Sequence, residues 1–427
     1  MRATSALLSV MRGVPEFGSA ILRLAGGPQG NRRVETYSEV RLTSQEGADL
    51  RPDGAAVVRV PRLGRRSWLI EVKTGASMLK PEQLDAYLDL AKGGGFDALL
   101  TISNQITSSP TESPVVVPSR RGRPRPPHFH LSWWRILAEA VVQHQHRGVS
   151  DPDQAWILEQ LIEYLDDERS GVIPFRDMGP SWTHVRDAAR LNQLNSGDSG
   201  AQEVAERWEQ LIEYLCLSLF RDLGRTVTVP VHKEAAEVRR QQGVDRLVTE
   251  GKLTATIKIR DAAAPVEVEA DLRARMVYAG VELGAPQDKP RPGSRCTWLL
   301  RQLKSVPEGS NVHIEALYTR GHRSGASLDR VREDSGVLLH ATDPSRPPRA
   351  FRISLGVEMS RQRGRRAQDG GFIESTRQHV ADFYRQVVQG LVPWRPAAPK
   401  LPAGATLTPA EPDAIAITDL GDSAAPS

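Results

Sequence analysis

Trp68-Leu69-Ile70-Glu71-Val72-Lys73-Thr74 is an apolar run interrupted by one acid and one base, two positions apart. Side chains alternate along a strand, so Trp68, Ile70 and Val72 face one way and Leu69, Glu71 and Lys73 the other. The first set has the composition of a buried face. The second places a carboxylate and an ammonium group where burial is costly unless they are paired, metal-bound or open to a cleft. Asp53, in Arg51-Pro52-Asp53-Gly54, stands eighteen positions before Glu71, immediately ahead of a second strand-like run at 54–60. A hairpin between the two strands would bring the Asp53 carboxylate beside that of Glu71. Two carboxylates in a small space repel each other, and a divalent cation resolves the repulsion. Mg2+ (or Mn2+) prefers oxygen ligands and keeps several waters, so Asp53, Glu71 and the Val72 carbonyl are a sufficient set. Lys73 is then placed to act on a water and a phosphate beside them.

The flanking sequence supplies an ordered set of elements. Residues 16–25 follow Pro15 and stop at Gly26-Gly27, which predicts a helix with proline at its start and glycine beyond its end. Residues 34–42, 54–60 and 67–74 read as strands separated by Gly, Pro and Asp turns. Residues 81–92 read as a helix ended by Gly93-Gly94-Gly95, and 97–103 as a buried strand. The expected order is helix, three strands, helix, strand.

Motif and order together resemble the PD-(D/E)XK nuclease superfamily, the fold of restriction endonucleases, archaeal junction resolvases and many repair nucleases. Pro52-Asp53 stands where that family has PD, and Glu71-Val72-Lys73 where it has (D/E)XK. The order of elements matches its αβββαβ core. Gln83 and Tyr87, on the helix after the motif strand, match the Q-x-x-x-Y of the RecB-like and related branches, where the pair sits near the DNA backbone and the active site. The resemblance spans residues 10–145, about a third of the chain. It implies an α/β restriction-endonuclease-like domain and Mg2+-dependent hydrolysis of DNA, with Asp53, Glu71 and Lys73 catalytic and Asp53 and Glu71 as metal ligands. The family often has a further acid upstream. Glu39 is the first choice, with Glu35 and Glu16 behind it, although Glu35, Tyr37, Glu39 and Arg41 also fit one solvated strand face. Q-x-x-x-Y is the least specific part, because Gln160/Tyr164 and Gln210/Tyr214 repeat it within two copies of EQLIEYL. Leu, Ile and Tyr at helical spacing make one apolar face, which amphipathic helices arrive at repeatedly.

The remaining sequence sets bounds more than it assigns roles. The chain has 427 residues and a net charge of +4, which permits nucleic-acid binding without demanding it. Its length favours two folded domains. The first is expected over 1–168. An α+β domain of unassigned role is expected over 169–395, with strands at 253–258, 266–283, 311–319 and 350–359 between helices at 202–220 and 372–392. Residues 396–427, rich in Ala and Pro, read as a disordered tail. Arg120, Arg121, Arg123 and Arg125, and a second basic cluster at 361–366, lie in loops and are candidates for phosphate contact, though solvated loops have the same composition. His128 and His130, like His144 and His146, lack a further ligand nearby and are not expected to bind zinc. Trp133, Trp134 and Trp182 are expected to pack in the interior.

The two cysteines, Cys216 and Cys296, have no metal-ligand spacing, which favours a reducing cytoplasm. No run approaches 18 apolar residues, so no membrane span is expected, and the first ten residues do not read as a signal peptide. No G-x-x-x-x-G-K-[ST] stretch is present, which excludes a P-loop motor. The expectation is a cytoplasmic endodeoxyribonuclease, ahead of an exonuclease, serving restriction or phage defence first and DNA repair second. DNA is the expected partner, and a homodimer or a protein partner for the C-terminal domain stays open. One rival is a non-catalytic DNA-binding or scaffold protein of the same fold, against which the intact acid–acid–lysine set speaks. The other is an RNA nuclease, for which no aromatic platform or RNA module is present.

Overall fold

Pro15 at the first helical position and Gly26, at φ +74°, bracket helix α2 (Pro15–Leu24). A helix without such brackets precedes it. Helix α1 (Arg2–Gly13) buries Ala3, Leu7, Leu8 and Met11, three and four residues apart, which is the stripe of a core-facing helix. The start of the chain is therefore part of the core. The structure, a computed structural model, describes residues 2–43, 49–62, 64–107, 109–116, 124–230, 236–359 and 371–396.

There follow β1 (Val34–Ser38), β2 (Gly54–Val60), β3 (Gly64–Val72), α3 (Pro81–Gly93), β4 (Ala98–Ser103), β5 (His128–Ser132), α4 (Trp133–Val142) and α5 (Pro152–Asp166). The strands form one mixed sheet in the order β1-β2-β3-β4-β5. The first three are antiparallel neighbours, while β4 runs parallel to β3, and β5 to β4. Helix α3 is the crossover that a parallel β3–β4 pair requires. β1 ends at Ser38, short of the expected residue 42, because Glu39 takes φ +54° and turns the chain out of the ladder.

Alternation on β3 sorts its side chains as expected. Trp68, Ile70 and Val72 join Ala56, Val58, Leu100 and Ile102 against Leu7, Phe17, Ile21, Leu137 and Leu161 of the flanking helices. Leu69 and Leu99 face the other way, onto Leu84, Tyr87 and Leu88 of α3. The Trp68 indole N–H donates to the Ala25 carbonyl at 2.8 Å and ties the end of α2 to the motif strand. Gly54 is required by the approach of α1: a Cβ there would lie 2.6 Å from Leu8 Cδ1 and 2.7 Å from the Tyr37 carbonyl oxygen.

The second half holds α6 (Trp182–Arg190), α7 (Ser199–Leu223), β6 (Val227–Thr228), α8 (Ala236–Glu250), β7 (Lys252–Ile259), β8 (Val266–Asp271) and β9 (Met276–Gly284). It continues with α9 (Pro292–Gln302), β10 (His313–Leu317), β11 (Arg323–Ser327), α10 (Leu328–Glu333), β12 (Ala350–Glu358) and α11 (Phe372–Gln386). Its strands make an antiparallel sheet in the order β11-β10-β12-β9-β8-β7-β6. Leu253, Ile257, Val268, Val281 and Ile353 share a core with Leu211, Leu215, Leu299 and Phe383 from the helices. The run 266–283, expected as one strand, is two. It folds back between β8 and β9, where Arg275 takes φ +58°, a role more usual for Gly or Asn.

Both sheets belong to one compact unit, Met1–Trp394. Helix α4 packs on α7, and Arg135 donates to Glu213 at 2.5 Å between them. Burial pushes the Glu213 carboxyl up to about 7 against the pull of Arg135. Trp133 and Trp182 are fully buried, and Trp134 packs on Tyr214 with ring centroids 5.1 Å apart and the planes tilted by 38°. Cys216 and Cys296 are buried free thiols. Among the described residues no helix is long and apolar enough to cross a membrane. The expected tail lies outside the described residues from position 397 onward.

Candidate active site

Gly54 pairs with Ile70 at the open end of the β2–β3 hairpin, so Asp53 and Glu71 take the next step of the same register. Asp53 Oδ2 accepts the Val72 N–H at 2.8 Å. The carboxylate thus satisfies a backbone donor where the ladder has run out, and is fixed at the strand end beside Glu71.

Glu71 points toward α3 and is 2% exposed. Its Oε1 accepts two bonds, from Lys73 Nζ at 2.6 Å and from Gln83 Nε2 at 3.0 Å. Among the described residues its Oε2, also buried, has no direct hydrogen-bond partner. Burial pushes the Glu71 pKa above its ordinary value of 4.5, the Lys73 bond pulls it back, and the like charge of Asp53 pushes it up again. The net direction is upward, so desolvation outweighs the lysine. Both direct donors thus reach the same oxygen of a buried carboxylate.

The surrounding residues hold this arrangement. Lys73 follows the last residue of β3, with its N–H on the Ile102 carbonyl at 2.7 Å and its carbonyl accepting the Trp133 indole N–H at 2.8 Å. Its side chain keeps 20% exposure, so the ammonium group sits between the buried Glu71 and solvent. Tyr87, one turn beyond Gln83, is pushed up to about 12 by burial and by the charge of Glu71. Its hydroxyl stays protonated at neutral pH and bears on Gln83 and Glu71.

Gln83 is distinguished from its look-alikes by contact. Gln160 is exposed and bonds Glu163 at 3.3 Å on its own helix, and Gln210 accepts from Arg207 at 3.1 Å. Only the first of the three similar segments enters a helix directly after the motif strand.

The upstream acids are not brought in. Glu39 is exposed and meets Asp53 through the backbone alone, its N–H on the Asp53 carbonyl at 3.0 Å. Glu35 accepts from the Tyr37 hydroxyl at 3.2 Å, and Glu16 from the Ser150 N–H at 3.4 Å. Among the described residues no group of three or more His, Cys, Asp or Glu side chains is placed to hold a metal ion. Asp53 and Glu71 are the two carboxylates that the β2–β3 hairpin brings side by side.

Arg125 is engaged too. It donates to Asp85 at 2.7 Å and Asp89 at 2.9 Å on α3, which fastens the incoming chain to that helix and does not leave the guanidinium facing outward for phosphate. Arg120, Arg121 and Arg123, and the cluster at 361–366, lie outside the described residues.

One group beside Glu71 has no motif signal. Thr101 is the β4 neighbour of Glu71, and His130 the β5 neighbour of Thr101. The Thr101 hydroxyl lies 2.8 Å from His128 Nε2 and 2.9 Å from His130 Nδ1, while His130 Nε2 is 2.9 Å from the Gln105 carbonyl. That carbonyl accepts only, so His130 carries its proton on Nε2 and Nδ1 accepts from Thr101. The threonine oxygen then accepts from His128 Nε2–H. Burial pushes both imidazoles down to about 4, so they are neutral hydrogen-bonding groups at neutral pH.

A cavity of about 460 Å³ lies elsewhere, between α7, α8 and strands β7 and β8. Its Arg352 and Glu267 pair at 2.8 Å, its Arg239 and Glu209 at 3.6 Å, and it contains none of the motif residues. Compared with known proteins, the chain matches no family model, no curated protein and no solved structure.

Proposed function

We propose that the chain is a metal-dependent phosphodiesterase of the PD-(D/E)XK type that hydrolyses DNA. The observation that carries this reading is the Glu71 carboxylate: buried, gripped on Oε1 by Lys73 and Gln83, bare on Oε2, and adjacent to a second carboxylate. A purely structural Glu–Lys pair gains nothing from a neighbouring aspartate that destabilises its anion. The sequence of elements α2-β1-β2-β3-α3-β4 in a mixed sheet supports the restriction-endonuclease-like assignment.

The donor set fits Mg2+ or Mn2+. Asp53, Glu71 and the Val72 carbonyl are hard oxygen donors, and the bare buried Oε2 lacks the positive partner a cation provides. When bound, such an ion supplies Lewis-acid stabilisation of charge on the phosphate and makes water acidic enough to attack. The chain's own residues do the rest. Gln83 and Lys73 fix the orientation of the Glu71 carboxylate. The Lys73 ammonium, partly exposed beside it, places a positive charge where the attacked phosphate and water gather, and that charge matters most as negative charge develops. Tyr87 keeps its proton and remains a donor at the floor of the site.

The test is incubation of purified protein with supercoiled, linear and single-stranded DNA, and with RNA, in Mg2+, Mn2+ or EDTA. Cleavage of DNA that needs the metal and is abolished in Glu71→Gln is the expected result. Cleavage of RNA alone would move the reading to the ribonuclease alternative. Absence of cleavage under every condition, with the protein folded, would overturn it.

A further inference from the structure

Lys73 and Gln83 reach the same oxygen of Glu71 from the two ends of one connection. Residues 73–80, between β3 and α3, form neither helix nor strand, and Ala76, Ser77, Met78 and Lys80 are exposed. Little apolar packing holds this segment; Leu79 is its one fully buried side chain. Lys80, the N-cap of α3, makes no side-chain capping bond.

Two adjacent carboxamides just beyond β4 take over that task. Asn104 Nδ2 donates to the Gly75 carbonyl at 3.0 Å and to the Gly171 carbonyl at 2.8 Å, and its Oδ1 accepts the Ile173 N–H at 3.0 Å. Gly75 N–H bonds the Gly171 carbonyl at 2.8 Å, and the two backbones approach so closely that a Cβ on Gly171 would lie 3.1 Å from Gly75 N. Gln105 Oε1 accepts the Leu79 N–H at 3.0 Å, two residues before α3. Gln105 is itself anchored, its N–H on Ser103 Oγ at 3.0 Å and its carbonyl at 2.9 Å from His130 Nε2. The polar row Thr101–His130 therefore ends on the residue that holds the entry to α3.

We propose that Asn104 and Gln105 are positioning residues for the hydrolysis, pinning the two ends of segment 73–80 so that Lys73 and Gln83 converge on one oxygen of Glu71. The inference rests on the nuclease reading. Neither side chain bonds Glu71, Lys73 Nζ or Gln83, so both act through the backbone. A displacement of about 1 Å in a reacting group costs on the order of 10² in rate, and an unpinned polar loop with exposed side chains permits displacements of that size.

Gln105 allows a test by rescue, because its side-chain bonds run through Oε1 alone. Gln105→Ala removes the acceptor for Leu79 N–H, whereas Gln105→Glu keeps an oxygen in the same place. The expected result for Gln105→Ala is a kcat lowered roughly tenfold to a hundredfold with KM for DNA unchanged. In the metal-free protein, hydrogen exchange at Leu79 should be faster, and Gln105→Glu should restore both properties. Asn104→Asp, isosteric but without the two donated bonds, should lower kcat likewise and speed exchange at Gly75. An unchanged kcat in Gln105→Ala, a loss confined to KM, or a Gln105→Glu variant as slow as Gln105→Ala would each overturn the positioning role while leaving the nuclease reading intact. A wild-type protein without metal-dependent cleavage would overturn both.

Discussion

Replacing Lys73 by Ala separates the chemical reading of the site from a structural one. The substitution removes the 2.6 Å bond to Glu71 and leaves a carboxylate that is 2% exposed, facing Gln83 and the Tyr87 hydroxyl. Stranding a buried charge commonly costs 3–5 kcal/mol. Here a ceiling applies, because a carboxyl can always take up a proton. The ordinary pKa is 4.5, so at pH 7 the cost of holding the proton is at most about 3.4 kcal/mol, from about 1.4 kcal/mol per pH unit. The sign follows from burial. Glu71 is already raised in the folded protein, and without Lys73 it rises further, so above pH 4.5 the folded state binds more protons than the unfolded one. Stability of the variant relative to wild type then falls as pH rises above the already raised wild-type pKa toward 7, and no difference remains at 4.5 and below, where both proteins hold the proton. Thermal unfolding of a unit this size in EDTA should therefore show a loss of no more than roughly 4 °C at pH 7 and almost none near pH 4.5. Cleavage behaves differently. The ammonium group acts mainly as charge develops, so its removal should lower the rate on the order of 10² to 10³ even where stability is unaffected. Cleavage undiminished in Lys73→Ala would refute the mechanism. A melting loss that persists at pH 4.5 would show instead that packing, not the stranded carboxylate, is what Lys73 provides.

Three further outcomes are expected. Asp53→Ala should lose more cleavage than Lys73→Ala and weaken Mg2+ binding in calorimetric titration, because it removes a candidate ligand together with the 2.8 Å bond to Val72 N–H, worth about 1.5–3 kcal/mol as a bond to a charged acceptor; unchanged Mg2+ affinity would count against Asp53 as a ligand. Gln83→Ala should slow cleavage on the order of tenfold while Gln160→Ala has no effect, and equal behaviour of the two would remove Gln83 from the site. Arg125→Ala should lower the melting temperature slightly, by up to about 1 kcal/mol of stability, and leave the salt dependence of DNA binding unchanged, since its partners are Asp85 and Asp89; a shallower salt slope would show that it contacts phosphate.

Which parts of the fold were legible in the sequence follows from how local their causes are. Helix α2 is announced by Pro15 and Gly26, and the β2–β3 hairpin by two apolar runs with Asp53-Gly54 ahead of the first. Strand alternation alone separates Glu71 and Lys73 from the buried side of β3, and helical spacing carries Gln83 back to the site. Helix α1 is not among the expected elements because its apolar stripe is short; what makes it a helix is the sheet it covers, at contacts such as the Thr36 hydroxyl on the Leu8 carbonyl at 2.8 Å. The fold-back between β8 and β9 lacks glycine or proline, and its local mark is the weaker one of Asp271, whose Oδ1 accepts the Ala274 N–H at 2.7 Å while Arg275 closes the turn in the left-handed conformation.

The site divides along the same line. Asp53, Glu71, Lys73 and Gln83 lie within one hairpin and the helix that follows, and residue spacing places them. Thr101, Asn104, Gln105, His130 and Trp133 come to the site only through the parallel register of β3, β4 and β5, which no short-range pattern encodes. The histidines illustrate the difference. As His128-Phe129-His130 they have spacing but no further ligand, which leaves their role open in the sequence, and burial with one shared threonine hydroxyl makes them neutral struts. Arg125 shows the complementary limit: a cluster of arginines reads as a phosphate surface until the acids of another element are known, and here Asp85 and Asp89 on α3 meet it. Charge identity is written locally, but whether a charge is available to a ligand is decided by what the fold packs against it. Glu71 shows this within a single carboxylate. Lys73 and Gln83, the donors that residue spacing supplies, both converge on Oε1, while among the described residues Oε2 is buried without a direct hydrogen-bond partner and the Tyr87 hydroxyl bears on the carboxylate from α3.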